Sequence, residues 1–132
     1  MPSIEHIYSL FLDTRKVSTD SRQECDGAIF IALKGNNFNG NEFADQAIKN
    51  GCSYAIIDEK DYKKDERYLL VDDVLATLQN LARYHRDQLQ IPVICITGTN
   101  GKTTTKELIN TVLSCSYRVC STRGNLNNHI GV

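Results

Sequence analysis

Val93-Ile94-Cys95-Ile96-Thr97-Gly98-Thr99-Asn100-Gly101-Lys102-Thr103-Thr104-Thr105 is an apolar run that breaks into a glycine-rich turn and then opens a helix. Residues 93–96 read as a strand buried on both faces. Leu108, Ile109, Val112 and Leu113 form a helical stripe after Lys102. Strand, loop and helix in that order predict a nucleotide-phosphate site. Gly98 and Gly101 let the backbone take positive φ and approach an anion without a Cβ in the way. Lys102 supplies a point charge, Thr103 a hydroxyl for Mg²⁺, and the helix its positive end. Only the G-x-x-G-K-T half of the full P-loop pattern is present, because Ile96 stands where the first glycine belongs.

Working outward, strands and helices alternate from residue 28 onward, which predicts an α/β protein. The periodicities place a helix over 4–12, a short strand over 17–20 and a strand over 28–33. A loop rich in turn formers follows over 34–41, then a helix over 42–50 ended by Gly51. Strands are expected over 54–57 and 68–71, flanking a charged loop, and a helix capped by Asp72 or Asp73 runs to about Leu89. A final strand is expected over 117–121. A boundary near residues 88–92 leaves a small α/β unit over 1–88 and the beginning of a second over 89–132. The second unit has too few strands for a complete mononucleotide-binding sheet, so the chain reads as an N-terminal piece of a longer protein.

The 132 residues are 41% hydrophobic and 23% charged, as in ordinary globular proteins, and the net charge of −1 argues against a general nucleic-acid binder. Charge is nonetheless uneven: residues 1–66 hold eight Lys/Arg against twelve Asp/Glu, and residues 67–132 hold seven against four. The phosphate-loop end is the cationic one. Five cysteines, Cys25, Cys52, Cys95, Cys115 and Cys120, show no metal-type spacing with each other or with His6, His85 or His129. They suggest a reducing cytoplasm, with Cys95 buried in its strand. No apolar run approaches membrane-spanning length. His85 reads as a packed histidine, and Tyr68, Tyr84 and Tyr117 as core or interface tyrosines.

Three motifs together resemble the Mur ligases of bacterial cell-wall synthesis. The first is Thr19-Asp20-Ser21-Arg22 followed by Gly27-Ala28-Ile29-Phe30-Ile31-Ala32-Leu33-Lys34-Gly35, similar to that family's uridine-nucleotide domain. The second is residues 97–104, the compact form of the ATP loop, in which the missing glycine at Ile96 is part of the pattern. The third is Gly124-Asn125-Leu126-Asn127-Asn128-His129-Ile130-Gly131. Asn39-Gly40-Asn41 stands where the family often has D-G-H.

The resemblance implies a small N-terminal uridine-nucleotide domain followed by the start of a P-loop mononucleotide-binding α/β domain. It also implies an ATP- and Mg²⁺-dependent amide ligase acting through an acyl phosphate. Gly98, Thr99, Asn100, Gly101, Lys102, Thr103 and Thr104 would contact ATP, with Lys102 and Thr103 catalytic and Thr103 on the metal. Ser21, Arg22, Gly35, Asn36, Asn37 and Phe38 would meet the uridine nucleotide, and Asn127 and Asn128 the muramoyl peptide. The third motif selects the member that joins D-Ala-D-Ala to UDP-N-acetylmuramoyl-tripeptide. The alternatives are the diaminopimelate- or lysine-adding relative and a fragment that binds a UDP-sugar peptide without catalysis. No nucleic acid, no membrane insertion and a monomeric state are expected.

Overall fold

The computed structural model describes residues 2–22 and 25–122, in two units, residues 1–89 and 90–132. In the first unit, helix α1 (Ile4–Thr14) begins where Ser3 accepts from the His6 N–H at 3.3 Å. Strands β1 (Val17–Ser18), β2 (Ile29–Ile31), β5 (Tyr54–Ile57) and β6 (Tyr68–Leu70) form a wholly parallel sheet in the order β1-β2-β5-β6. Between β2 and β5 the chain makes a small antiparallel hairpin of β3 (Lys34–Gly35) and β4 (Phe38–Asn39). A 3₁₀ turn over Gly40–Phe43 and helix α2 (Ala44–Lys49) complete the crossover. Helix α3 (Val74–Gln88) follows β6, and Asp73 caps it by accepting from Ala76 N–H at 2.7 Å.

The pleat sends alternate residues to opposite faces, so this sheet has two cores. Ile29, Ile31, Ile56 and Leu69 join Ile7 of α1 and Val74 and Leu81 of α3. Phe30, Ala55, Ile57 and Tyr68 join Ala44 and Ala47 of α2. Apolar residues on both sides of each strand are the mark of a parallel sheet covered by helices, and α1 with α3 on one face and α2 on the other make three layers. Tyr8 and His85 meet where α1 crosses α3, with the phenol oxygen 3.3 Å from His85 Nδ1. The histidine is a packing residue, as its sequence context suggests.

The second unit contains helix α4 (Lys102–Ser114), the helix expected after Lys102. Residues 93–96 are irregular rather than a strand, and Val93 and Ile94 are 61% and 60% exposed. Cys95 is therefore exposed, not buried. Residues 117–121 also lack strand structure, and Tyr117 lies in solvent instead of a core. The cause is shared: a parallel strand needs neighbours to receive its hydrogen bonds, and among the described residues of this unit there is no strand to pair with. Leu108 and Val112 on α4 are exposed for want of an opposing layer among those residues. No helix among the described residues is long and apolar enough to cross a membrane.

A second departure concerns the cysteines. Cys25 and Cys52 form a disulfide, with their Cα atoms 5.1 Å apart, whereas Cys95, Cys115 and Cys120 are free and exposed. A separation of 27 residues gives no spacing signal for such a pair, because only the crossover through α2 brings the two together.

Candidate functional site

Ligands of open parallel sheets lie beyond the carboxyl ends of the strands, and the first unit has a cleft of about 480 Å³ there. Thr19, Asp20, Ser21 and Arg22 line it from the turn after β1; Phe30 and Leu33 from β2 and its exit; and Phe38, Gly40 and Phe43 from the hairpin and 3₁₀ turn. Asp20 organises its turn by accepting from the Arg22 backbone N–H at 3.0 Å. It also takes the guanidinium in a fork, Nε to Oδ1 at 2.9 Å and Nη2 to Oδ2 at 3.0 Å. Ser21 is buried, and its carbonyl accepts from Asn50 Nδ2 at 2.8 Å, which ties the turn to the end of α2.

The hairpin is held against the sheet by a polar cluster at the end of β5. Asn41, with no exposed surface, donates from Nδ2 to Asp58 Oδ1 at 2.8 Å and accepts from the Asp58 N–H at 3.0 Å. Asn39 donates from Nδ2 to both oxygens of Glu59 at 3.1 Å, and its Oδ1 accepts from the Asn41 N–H at 3.1 Å. Lys34 Nζ lies 2.9 Å from Asp58 and 2.8 Å from Glu59. Burial pushes the Asp58 carboxyl up, but hydrogen bonds from Lys34 and Asn41 outweigh it and leave it below the ordinary aspartate value. Glu59 is lowered by Lys34 and then Asn39, and the Lys34 ammonium is raised by Glu59 and then Asp58. Asn39 and Asn41, where the family pattern often has an acid and a histidine, are thus fully engaged with β5.

Gly40 sits where a Cβ would collide with the backbone of Ala32 and Leu33, and its N–H donates to the Leu33 carbonyl at 3.1 Å. Only a residue without a side chain lets the hairpin return this close to the exit of β2. Of the uridine-site residues expected from sequence, Ser21, Arg22 and Phe38 line the cleft. Gly35, Asn36 and Asn37 lie in the exposed part of the hairpin, outside its lining. Asn127 and Asn128 lie outside the described residues. Thr19, Asp20, Phe30, Leu33, Gly40 and Phe43 line the cleft without having been singled out as binding residues, although most belong to the quoted motifs.

In the second unit, Gly101 is the N-cap of α4 with φ of 77°, a left-handed conformation that disfavours any side chain. It offers no side-chain cap, so the first turn presents its backbone donors and positive dipole end without a competing carboxylate or hydroxyl. Lys102 Nζ donates to the Gly98 carbonyl at 2.6 Å, which folds the lysine back over the loop. Thr103 and Thr104 are exposed on the same first turn. The loop and helix start therefore gather the groups that an anion needs: a cation, oriented N–H groups and hydroxyls.

Residues 13–94 match the family described as "Mur ligase family, catalytic domain", and residues 96–132 match "Mur ligase middle domain". The UDP-N-acetylmuramoyl-tripeptide–D-alanyl-D-alanine ligase of Bacillus subtilis is 44% identical over 118 residues, covering 88% of this chain and 26% of its own length. The enzyme of that name from Escherichia coli is 40% identical over 116 residues, covering 88% of this chain and 25% of its own length. The MurF ligase of Thermotoga maritima, solved in complex with ADP, superimposes with a TM-score of 0.80 at 34% identity, covering 99% of this chain and 29% of that one. The chain thus spans about a quarter of the length of its relatives. With one family pattern over the sheet and its cleft and another over the glycine loop and α4, the chain belongs to the Mur ligase family.

Proposed function

We propose that this chain is the N-terminal part of an ATP-dependent amide ligase that joins D-Ala-D-Ala to UDP-N-acetylmuramoyl-tripeptide in peptidoglycan-precursor synthesis. The observation that carries the reading is the likeness, over 99% of the chain, to a MurF ligase solved with ADP. In this reading residues 1–88 hold the uridine-nucleotide end of the acceptor, and residues 89–132 begin the ATP-binding domain.

The terminal carboxylate of the tripeptide takes the γ-phosphoryl group of ATP, and the amine of D-Ala-D-Ala displaces phosphate from the resulting acyl phosphate. Phosphoryl transfer of this kind demands charge neutralisation and alignment. Lys102 exchanges the Gly98 carbonyl for phosphate oxygens, and backbone N–H groups of Gly98, Thr99, Asn100, Gly101, Lys102, Thr103 and Thr104 hold the phosphates in line. The Thr103 hydroxyl is a hard oxygen donor suited to Mg²⁺. When bound, Mg²⁺ neutralises charge on the phosphates.

In the cleft, Arg22 uses Nε and Nη2 on Asp20 and leaves Nη1 for the diphosphate. Phe38 and Phe43 offer aromatic faces to the uracil ring. Asn127 and Asn128 remain candidates for the peptide. Calorimetric titration of the 132-residue chain tests the first half of the proposal: it should bind UDP-N-acetylmuramoyl-tripeptide, and binding of ATP without that ligand overturns it. For the whole protein, phosphate release should depend on D-Ala-D-Ala. Equal release with diaminopimelate or lysine would replace this reading with the sibling ligase.

A further inference from the structure

Cys25 and Cys52 are 6% and 3% exposed and pack among Ala28, Ala47 and Ala55 beneath α2. The segments that carry them are already joined by hydrogen bonds. The Cys25 N–H donates to Asn50 O at 3.3 Å, and the Gly27 N–H donates to Gly51 O at 2.9 Å. The fold, rather than the cross-link, brings the two sulfurs together, and their Cα separation of 5.1 Å is within the range a disulfide spans without backbone movement. A second observation supplies access. Cys52 lines an open cleft of about 600 Å³ at the amino ends of the strands, with Asp13, Thr14, Gly27, Ser53 and Arg67 around it, away from the Arg22 cleft at the carboxyl ends. The three remaining cysteines form no disulfide, and in a reducing compartment a disulfide that does form is typically a redox-responsive one.

We propose that Cys25 and Cys52 are a reversible thiol–disulfide switch, loaded through the Cys52 cleft by a low-molecular-weight disulfide, that sets the stability of the first unit. In the forming direction the Cys52 thiolate attacks the small disulfide, making a mixed disulfide and releasing one small thiolate. The Cys25 thiolate then attacks the Cys52 sulfur, forming the Cys25–Cys52 bond and releasing the second. Two electrons pass from the protein thiols to the small disulfide, and the two protons lost from Cys25 and Cys52 end on the two small thiols. The closed loop of 27 residues spans β2, the hairpin and α2, so the bond removes much chain entropy from the unfolded state. This inference is independent of what the Arg22 cleft binds.

The test uses the 132-residue chain carrying Cys95→Ser, Cys115→Ser and Cys120→Ser, which leaves only the pair. Native, reduced protein is exposed to oxidised glutathione and then to dithiothreitol. After the first step, mass spectrometry should find a Cys25–Cys52 peptide link and no alkylation of either residue, and the melting temperature should rise by about 10 °C or more. Dithiothreitol should return both thiols and the lower melting temperature without denaturant. The same chain with Cys25→Ala should show no glutathione-dependent rise, while the link itself is read without that variant. Continued alkylation of both cysteines, glutathione adducts without a link, a link formed only in denaturant, or a bond that dithiothreitol fails to open in the native protein would each overturn the proposal.

Discussion

Asn41 and Asp58 hold each other twice: Asn41 Nδ2 donates to Asp58 Oδ1 at 2.8 Å, and the Asp58 N–H donates back to Asn41 Oδ1 at 3.0 Å. One end of this reciprocal pair is a backbone group at the exit of β5 and the other sits at the start of the 3₁₀ turn, so it fixes the height of the hairpin above the sheet. Asn41→Ala would leave a partly buried carboxylate short of a donor and a backbone N–H short of an acceptor. The expected loss is about 2–3 kcal/mol of unfolding free energy in urea denaturation. Asn41→Asp should cost more at neutral pH, because two carboxylates would then face each other, and should recover part of the loss as pH falls. Equal stability of Asn41→Asp and the parent at neutral pH would refute this role.

Acid should unfold the first unit through its carboxylates. Asp45 is held well below its ordinary value by Lys49 and then Lys64, Glu59 by Lys34 and then Asn39, and Asp58 is lowered despite its burial. Groups whose folded values lie below the unfolded ones stabilise the fold above the ordinary carboxylate range. They lose that contribution as pH falls through the folded values. Unfolding free energy measured in urea should therefore be level from about pH 7 to about pH 5 and fall steeply below about pH 4. Asp58→Asn should make the fall shallower, besides lowering stability at neutral pH.

Gly40→Ala places a methyl group against the Ala32 and Leu33 backbone, atoms that cannot swing aside as a flexible side chain would. Hairpin and strand exit must separate, which should cost about 1–3 kcal/mol and weaken uridine-nucleotide binding by distorting the Phe38 wall of the cleft. Unchanged affinity and stability, by calorimetry and denaturation, would show that the hairpin is free to move.

Lys102→Ala should abolish ligation in the whole protein and weaken ATP binding. The circular dichroism and melting of the first unit should stay unchanged, since the lysine lies in residues 90–132. Loss of the first unit's fold in this variant would contradict the division of the chain.

In the first unit most elements were legible because their signals are local. Asp73 before an apolar helical stripe, Gly51 after α2, and three short apolar strands each specify themselves. The two-residue β3 and β4 were read as loop, since a hairpin that short has no periodicity to detect. The cleft was half legible: Ser21, Arg22 and Leu33 lie in a recognisable motif and Phe38 on the loop that follows it, but Phe43 joins them only through the 3₁₀ turn of the crossover. The strand expected over residues 93–96 failed for a different reason. Its apolar run records the neighbours such a strand requires, and among the described residues of the second unit none is present. Likewise no spacing rule pairs Cys25 with Cys52, because their contact is made by the tertiary fold.

The Lys102 ammonium already has a partner in the Gly98 carbonyl at 2.6 Å. In the proposed ATP loop, an ionised phosphate oxygen is a stronger acceptor for that ammonium than a neutral peptide oxygen, whereas the hydroxyls of a nucleoside are not. The loop is in this sense a threshold detector. Under the proposed function it would favour ligands by charge, with the reference level set by the backbone of the loop itself.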